Sequence, residues 1–342
     1  TLSSPPAGCF RRGLWAILSR LQPVSIEQPT EETPLLVIAG NLTIDDTVLP
    51  DGRTAMGAIG GDVLYTGLGA ALWTQEVGVL SRVGEDFPTE QLDRVRAAGL
   101  DTAGLVSCAG PSIRYWVVYE WDGRRHFIQR TVENRLDALS PEPDDLPPAY
   151  VSAARAFHVA AIPFGQADRL VRAAALLPSA PLITLDTHED FVAGYQDRLT
   201  GLLPLLGAFL PSREEVALWF GDDDPERHIG DLLALGPRVA VIKMGADGAL
   251  VQQRGQPRPR LIPIVPVTAL DATGAGDAFC GGFVARLAAG ADPYEAAMAG
   301  AVSASFAVEA YGIHGLLGVA TRDRDERLAR LHAIEKERNH GR

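Results

Sequence analysis

Cysteine is scarce in this chain: Cys9, Cys108 and Cys280 are the only three in 342 residues, widely separated, with no C-x-x-C pair and no histidine cluster. That excludes a disulfide framework, gives no zinc ligand set and fits a reducing cytoplasm. Positive charge is also short, with 31 Lys and Arg against 43 Asp and Glu and a formal net charge of -12. Such a balance speaks against nucleic acid or an anionic membrane surface as partner. No stretch reaches the roughly 18 to 20 apolar residues that a membrane-spanning helix needs. What is present is 46% apolar residues, enough for the core of one α/β domain with a small addition.

Residues 1–32 differ in composition from the rest. Pro5, Pro6, Arg11, Arg12 and Arg20 surround a short apolar patch at 14–18, and Glu31-Glu32 follow. The patch is short and lacks a small-residue cleavage site, so an N-terminal extension, loosely ordered or docked on the surface, is expected rather than a targeting segment. From Pro34 the chain alternates strand and helix: strand 35–39, helix 63–73, strand 77–81, helix 92–98 closed by Gly99, then helix 167–177, strands 182–186 and 208–210, helix 213–220 and strand 239–243. This rhythm predicts a mostly parallel sheet with helices on both faces. Two β-rich runs, 113–120 and 125–130, flank Asp122-Gly123, a hairpin turn signal. The proline-rich stretch 140–148 reads as a surface loop and the charged segment 322–338 as a solvated helix.

The most informative run is Asp271-Ala272-Thr273-Gly274-Ala275-Gly276-Asp277-Ala278-Phe279. Gly274 and Gly276 lack a Cβ, so the backbone can turn tightly and approach a ligand, and a helix is expected from Ala275. The N–H groups and positive dipole end of that helix suit a phosphoryl group. Asp277 in the first turn could stabilise the helix, bind metal or act as a general base.

This run resembles the second signature of the ribokinase-like (PfkB) carbohydrate kinases, D-T-T-G-A-G-D-x-F, with Ala272 the one departure. The resemblance extends from about residue 34 to 317. It implies a ribokinase-like α/β fold over 33–320, a mostly parallel central sheet flanked by helices, with a small β lid from strands near 43–58 and 112–131. A charged C-terminal helix and tail at 321–342 would follow. It also implies a kinase using ATP and Mg2+, with Asp277 as base and Gly274, Ala275 and Gly276 as anion hole. In relatives the Asp of Gly40-Asn41-Leu42-Thr43-Ile44-Asp45 binds substrate hydroxyls, so Thr43 and Asp45 fall on the substrate side with the diglycine Gly60-Gly61. The equivalent of the usual sugar-binding Asn is Tyr65, and a substrate Glu of ribokinases is replaced by Ala161.

On the cofactor side the resemblance places Thr273, Lys243, Gly245, Gly248 and, near the adenine, Gly312. Ser212 and Glu215 align with its N-x-x-E element, Ser212 replacing the Asn and Glu215 keeping the acid that holds Mg2+ through water; Ser212 and Glu215 also read as a helix capping box. Lys243 could reach a phosphate or be a solvated strand-end lysine. Asp271 stands where potassium-requiring relatives carry a cation ligand, so K+ is a further candidate. A homodimer through the lid is another implication. The expected reaction is transfer of the γ-phosphoryl group of ATP to a hydroxyl of a small sugar, polyol or sugar acid. A nucleoside kinase, or a catalytically weak sugar-binding regulatory protein, is the alternative. Tyr65, Tyr115, Trp116, Tyr119 and Trp121 point away from free ribose and toward a nucleoside, a cyclitol or a modified sugar.

Overall fold

The computed structural model describes residues 35–121, 124–130 and 135–340. The expected extension at 1–32 and the Asp122-Gly123 turn lie outside them. The chain enters as β1 (Leu35–Ala39) and leaves at once for β2 (Thr43–Val48) and β3 (Thr54–Gly60), then returns as β4 (Val77–Gly84) and β5 (Leu100–Cys108). A second excursion gives β6 (Ile113–Tyr119) and β7 (Arg125–Gln129). The remaining strands are β8 (Ala154–Val159), β9 (Leu182–Leu185), β10 (Ala208–Phe209), β11 (Val239–Lys243), β12 (Ala249–Gln253) and β13 (Arg260–Ile262). The large sheet runs β13-β12-β11-β10-β9-β8-β1-β4-β5, parallel except for the β11-β12-β13 edge. The excursions form a separate four-stranded sheet, β3-β2-β6-β7.

Alternation along β1 builds two cores. Leu36 and Ile38 face one apolar layer, and Val37 and Ala39 face the other; successive side chains of a strand point to opposite faces. Strands covered on both faces read as near-continuous apolar runs, as β1 and β11 do. The first layer is built on helix Ala275–Ala288, which lies between helices Asp62–Ala71 and Pro293–Ala307. It comes so close that a Cβ at Gly281 would stand 1.9 Å from the Thr66 carbonyl oxygen.

Chain order reverses between β1 and its neighbours β4 and β8, so β1 and β8 part in opposite directions at their carboxyl ends. A crevice opens at such a switch point, and here both lid excursions cover it.

Three details differ from the sequence reading. The helix expected at 167–177 is Phe164–Ala174, because Pro163 starts it earlier. The stretch 140–148 is no simple surface loop: Ser140 is fully buried and bonds Asn41, and Asp145 forms a bidentate pair with Arg82. The C-terminal helix Thr321–His340 has a docked face, with Leu331 fully buried, Arg327 stacked on Phe306 and Arg324 on Trp73.

Candidate active site

At the crevice, helix Ala275–Ala288 starts directly after Gly274, whose φ of 72° is left-handed. No side chain caps this N-terminus; the Ala275 N–H donates to the Ala272 carbonyl at 3.3 Å, and the positive end of such a helix suits an anion. Asp277 stands in the first turn, partly buried. Burial, reinforced by Asp186 and opposed by Lys243, pushes its carboxyl up to about 7.

Beneath the cradle lies a buried polar cluster. Asp186, just past β9, takes the Lys243 ammonium at 2.5 Å and the Cys280 thiol at 3.3 Å. Burial works against the charge on Lys243, but Asp186, Cys280 and Glu215 outweigh it and hold the lysine protonated. The solvated strand-end reading of Lys243 is therefore corrected: its Nζ is 3.6 Å from where a Gly276 Cβ would stand. Asp62 accepts the Asn41 N–H at 2.7 Å and, through burial and then Asp277, has its carboxyl raised well above the usual range. His158 is buried and held neutral, pushed down to about 4 by burial, with Nδ1 on Thr184. Sequence reasoning did not assign Asp62, Asp186 or Cys280. Asp186 carried a signal nonetheless, since it ends an apolar run and thus marks the carboxyl end of a strand.

Ser212 and Glu215 form a reciprocal capping box at helix Arg213–Phe220: Ser212 N–H donates to Glu215 Oε2 at 2.9 Å and Glu215 N–H to Ser212 Oγ at 3.2 Å. Glu215 is buried and its carboxyl pushed up to about 8, by burial and then Asp186, with Lys243 opposing. Among the described residues no hydrogen bond reaches Oε1, and no group of three or more His, Cys, Asp or Glu could hold a metal ion. The site fits a magnesium ion that keeps its waters and phosphate ligands and takes only one outer contact from protein.

Gly245 and Gly248, in the turn between β11 and β12, line an apolar cavity of about 270 Å³ with Val265, Ala272, Ala275 and Phe279. It adjoins the start of the cradle helix and has the size and lining for a flat ring. Gly312 is not there. Its N–H donates to Asp271 Oδ2 at 3.3 Å, and with Tyr311 and Ile313 it lines a small cavity against the lid residues Thr47, Ala58 and Ile59. It therefore lies beside the lid, apart from the cavity at Gly245 and Gly248. A larger groove of about 550 Å³, lined by Trp73, Gln75, Leu317 and Arg324, lies at the amino ends of the strands, away from the acidic cluster.

On the lid side, the backbone at Gly60 crosses Asp45 so closely that a Cβ there would stand 2.1 Å from Asp45 Oδ2. Gly61, at φ 106°, precedes helix Asp62–Ala71. Burial pushes Asp45 up to about 6, opposed by the Thr43 hydroxyl and helped by Asp46 and Asp271. Strand alternation divides the aromatics. Tyr115 and Tyr119 face the cleft: Asp45 and Asp62 act on the Tyr115 phenol, and the Tyr119 hydroxyl meets Thr273 Oγ1 at 3.1 Å. Trp116 is on the other face under Arg130, and Trp121 is 81% exposed. Tyr65 is 3% exposed and packed under Gly274, where a Cβ would stand 2.1 Å from its ring. It braces the cradle rather than offering an open face. Asp271 is buried, accepting the Thr273 N–H at 2.8 Å on Oδ1 with Arg125 of the lid at 3.9 Å.

The sequence matches the profile of the pfkB family carbohydrate kinases over residues 54–316. The chain belongs to that family. It is therefore a phosphotransferase with an alcohol group as acceptor. A cytidine kinase from Thermococcus kodakarensis is 28% identical over 259 residues, covering 75% of this chain and 89% of that protein. A fructokinase from Klebsiella pneumoniae is 32% identical over 276 residues, covering 74% and 84%. Among solved structures, the Methanocaldococcus jannaschii nucleoside kinase of the ribokinase family has a TM-score of 0.69 at 19% identity, over 86% of this chain and 98% of that one. A ribokinase from Thermotoga maritima has a TM-score of 0.68 at 19% identity, over 86% and 99%. The fold is thus ribokinase-like. None of the helices among the described residues is long and apolar enough to cross a membrane.

Proposed function

We infer that this pfkB-family kinase uses ATP and Mg2+ to phosphorylate a neutral polyhydroxy substrate that carries a flat ring, a nucleoside fitting best. The observation that carries the kinase chemistry is Asp277, a carboxylate held near neutrality in the first turn of an uncapped, glycine-led helix. ATP supplies the phosphoryl group and Mg2+ offsets phosphate charge. Asp277 takes the proton of the attacking hydroxyl, a role suited by a carboxyl at about 7. The Gly274, Ala275 and Gly276 backbone, with Thr273 beside it, holds the transferring oxygens. Lys243 adds fixed positive charge below, Gly245 and Gly248 bound the ring pocket, and Glu215 would contact the metal through water with Ser212 fixing its rotamer. Thr43, Asp45 and the Gly60-Gly61 backbone would take the acceptor's hydroxyls.

Charge supports a neutral acceptor. Asp45, Asp271 and Asp277 stand on the acceptor side, beside an Asp62 whose raised carboxyl holds its proton, while Lys243 is committed to Asp186 and Arg125 lies beside Asp271. A sugar acid or sugar phosphate would meet net repulsion there. The inward rings of Tyr115 and Tyr119 favour a flat acceptor, as does the similarity to a cytidine kinase. The test is kcat/KM with ATP across cytidine, other nucleosides, ribose, fructose, inositol and 2-keto-3-deoxygluconate. Nucleosides are expected to lead. Ribose or the sugar acid as the best substrate would refute the acceptor class, and ligand binding without turnover on any of them would point to a regulatory protein.

A further inference from the structure

Asp271 is a buried carboxylate whose two oxygens accept N–H groups from Thr273 and Gly312. It thereby ties the loop leading into the anion cradle to the segment after helix Pro293–Ala307, and its own N–H joins the Val308 carbonyl. Those bonds take one acceptor site on each oxygen but leave its charge, and a buried charge needs a counter-charge. Potassium is the ion that the sequence resemblance suggested for this place. The residues do not fit it: Oδ1 already faces the Arg125 guanidinium, Nη1 at 3.9 Å, and a second cation beside it would be repelled. Arg125 is the first residue of β7, on the lid. The adjoining strand end makes the other lid contact with the same loop, from the Tyr119 hydroxyl to Thr273 Oγ1 at 3.1 Å, while the Tyr119 ring meets Tyr311 edge-on at 5.5 Å.

We propose that Arg125 is a positioning residue that serves as the fixed cation of Asp271, in place of a monovalent metal ion, and that it brings this charge to the cradle loop when the lid closes. The proposal rests on the kinase reading above for its catalytic consequence, but not for its ion chemistry. The chain should work without potassium. Its Asp271 loop should be shaped by a lid residue, so that charge compensation and closure of the cleft are one event.

The experiment compares wild type, Arg125→Ala and Arg125→Lys in potassium chloride and in tetramethylammonium chloride at equal ionic strength. Thermal stability of the nucleotide-free protein is the first readout and needs no turnover. Wild type and Arg125→Lys should show no difference between the salts. Arg125→Ala should gain about 2 °C or more in potassium, because an ion that binds the folded state stabilises it. The second readout is kcat on whichever acceptor the panel supports. Arg125→Ala should lose roughly tenfold or more, since misplacing a catalytic loop slightly is costly, and potassium should restore part of the loss. A wild type that potassium stabilises or activates would overturn the proposal, as would an Arg125→Ala indifferent to potassium in both readouts. A rise in acceptor KM alone, with kcat unchanged in both salts, would make Arg125 a substrate contact and equally overturn it. Absence of turnover in every variant would refute the kinase reading while the stability comparison still decides the ion question.

Discussion

At the scale of single residues the site turns on Asp277 and on what lies under Gly274. The Asp277 carboxyl is raised to about 7 by burial and by Asp186. As a base it must be ionised, so kcat/KM is expected to fall about tenfold per pH unit below about 7. Its effect on stability has the opposite sense. A raised carboxyl binds its proton more tightly in the folded state, so stability declines as pH rises from about 4, the ordinary value, to about 7, and stays low above that. Asp277→Asn should therefore lower kcat by roughly 10² to 10⁴ while melting higher than wild type at pH 8 and no higher at pH 4. Near-normal turnover in the folded variant would remove Asp277 from the role of base, and an unchanged melting temperature at pH 8 would contradict the raised carboxyl. Gly274 combines φ 72° with a Tyr65 ring 2.1 Å from the place of a Cβ. Gly274→Ala is expected to impair turnover severely, and a smaller residue at 65 should relieve the clash but not the backbone strain. Tyr65→Ala alone, by opening a cavity beneath the cradle, should cost about 3–5 kcal/mol in denaturant unfolding. A loss under about 1 kcal/mol would mean that the ring does not brace the loop.

At the scale of elements, helix Arg213–Phe220 separates two roles that the sequence left superimposed on Ser212 and Glu215. Both halves of the capping box are formed, so the structural role is present whatever the metal does. Ser212→Ala should cost about 1 kcal/mol of stability and leave the Mg2+ requirement nearly unchanged. Glu215→Gln keeps a side-chain oxygen for the Ser212 N–H but cannot ionise when Mg2+ arrives, so it should raise the Mg2+ concentration for half-maximal activity with little change in melting temperature. A Glu215→Gln that melts lower yet titrates with Mg2+ as wild type does would leave only the cap. The sequence exposed this helix fully because its box, its periodicity and its stop at Gly221 lie within ten residues. The helix at Phe164–Ala174 was displaced by three residues because the proline that starts it, Pro163, follows the strand through a turn with no capping side chain.

For the molecule as a whole, the surfaces read as solvated are the ones that tertiary packing changed. Leu331 of the C-terminal helix is fully buried in a segment dominated by charge, and Leu331→Ala should cost about 2–5 kcal/mol; a cost near zero would mean that the helix is dispensable. The lid leaves Met56, Trp121, Phe127 and Ile128 more than half exposed, which suits the homodimer implied by the family resemblance. Ile128→Lys with Trp121→Ser is expected to shift sedimentation toward monomer, whereas an unchanged monomeric wild type would remove the lid contact. The sequence by itself determined the alternating fold, the glycine turn into a helix at residues 271–277 and the helix-strand identity of most segments, because each is encoded by periodicity or by neighbouring residue types. Only the tertiary structure decided which lid aromatics face the cleft, since a strand sends alternate residues to opposite faces and the chain does not mark which face is covered. It also decided that Asp186, Lys243 and Cys280 meet, that Gly312 lies beside the lid, and that Arg125 stands at Asp271. Those contacts join residues dozens to well over a hundred positions apart, and they exist because β1 and β8 diverge and the two lid excursions close over the crevice between them.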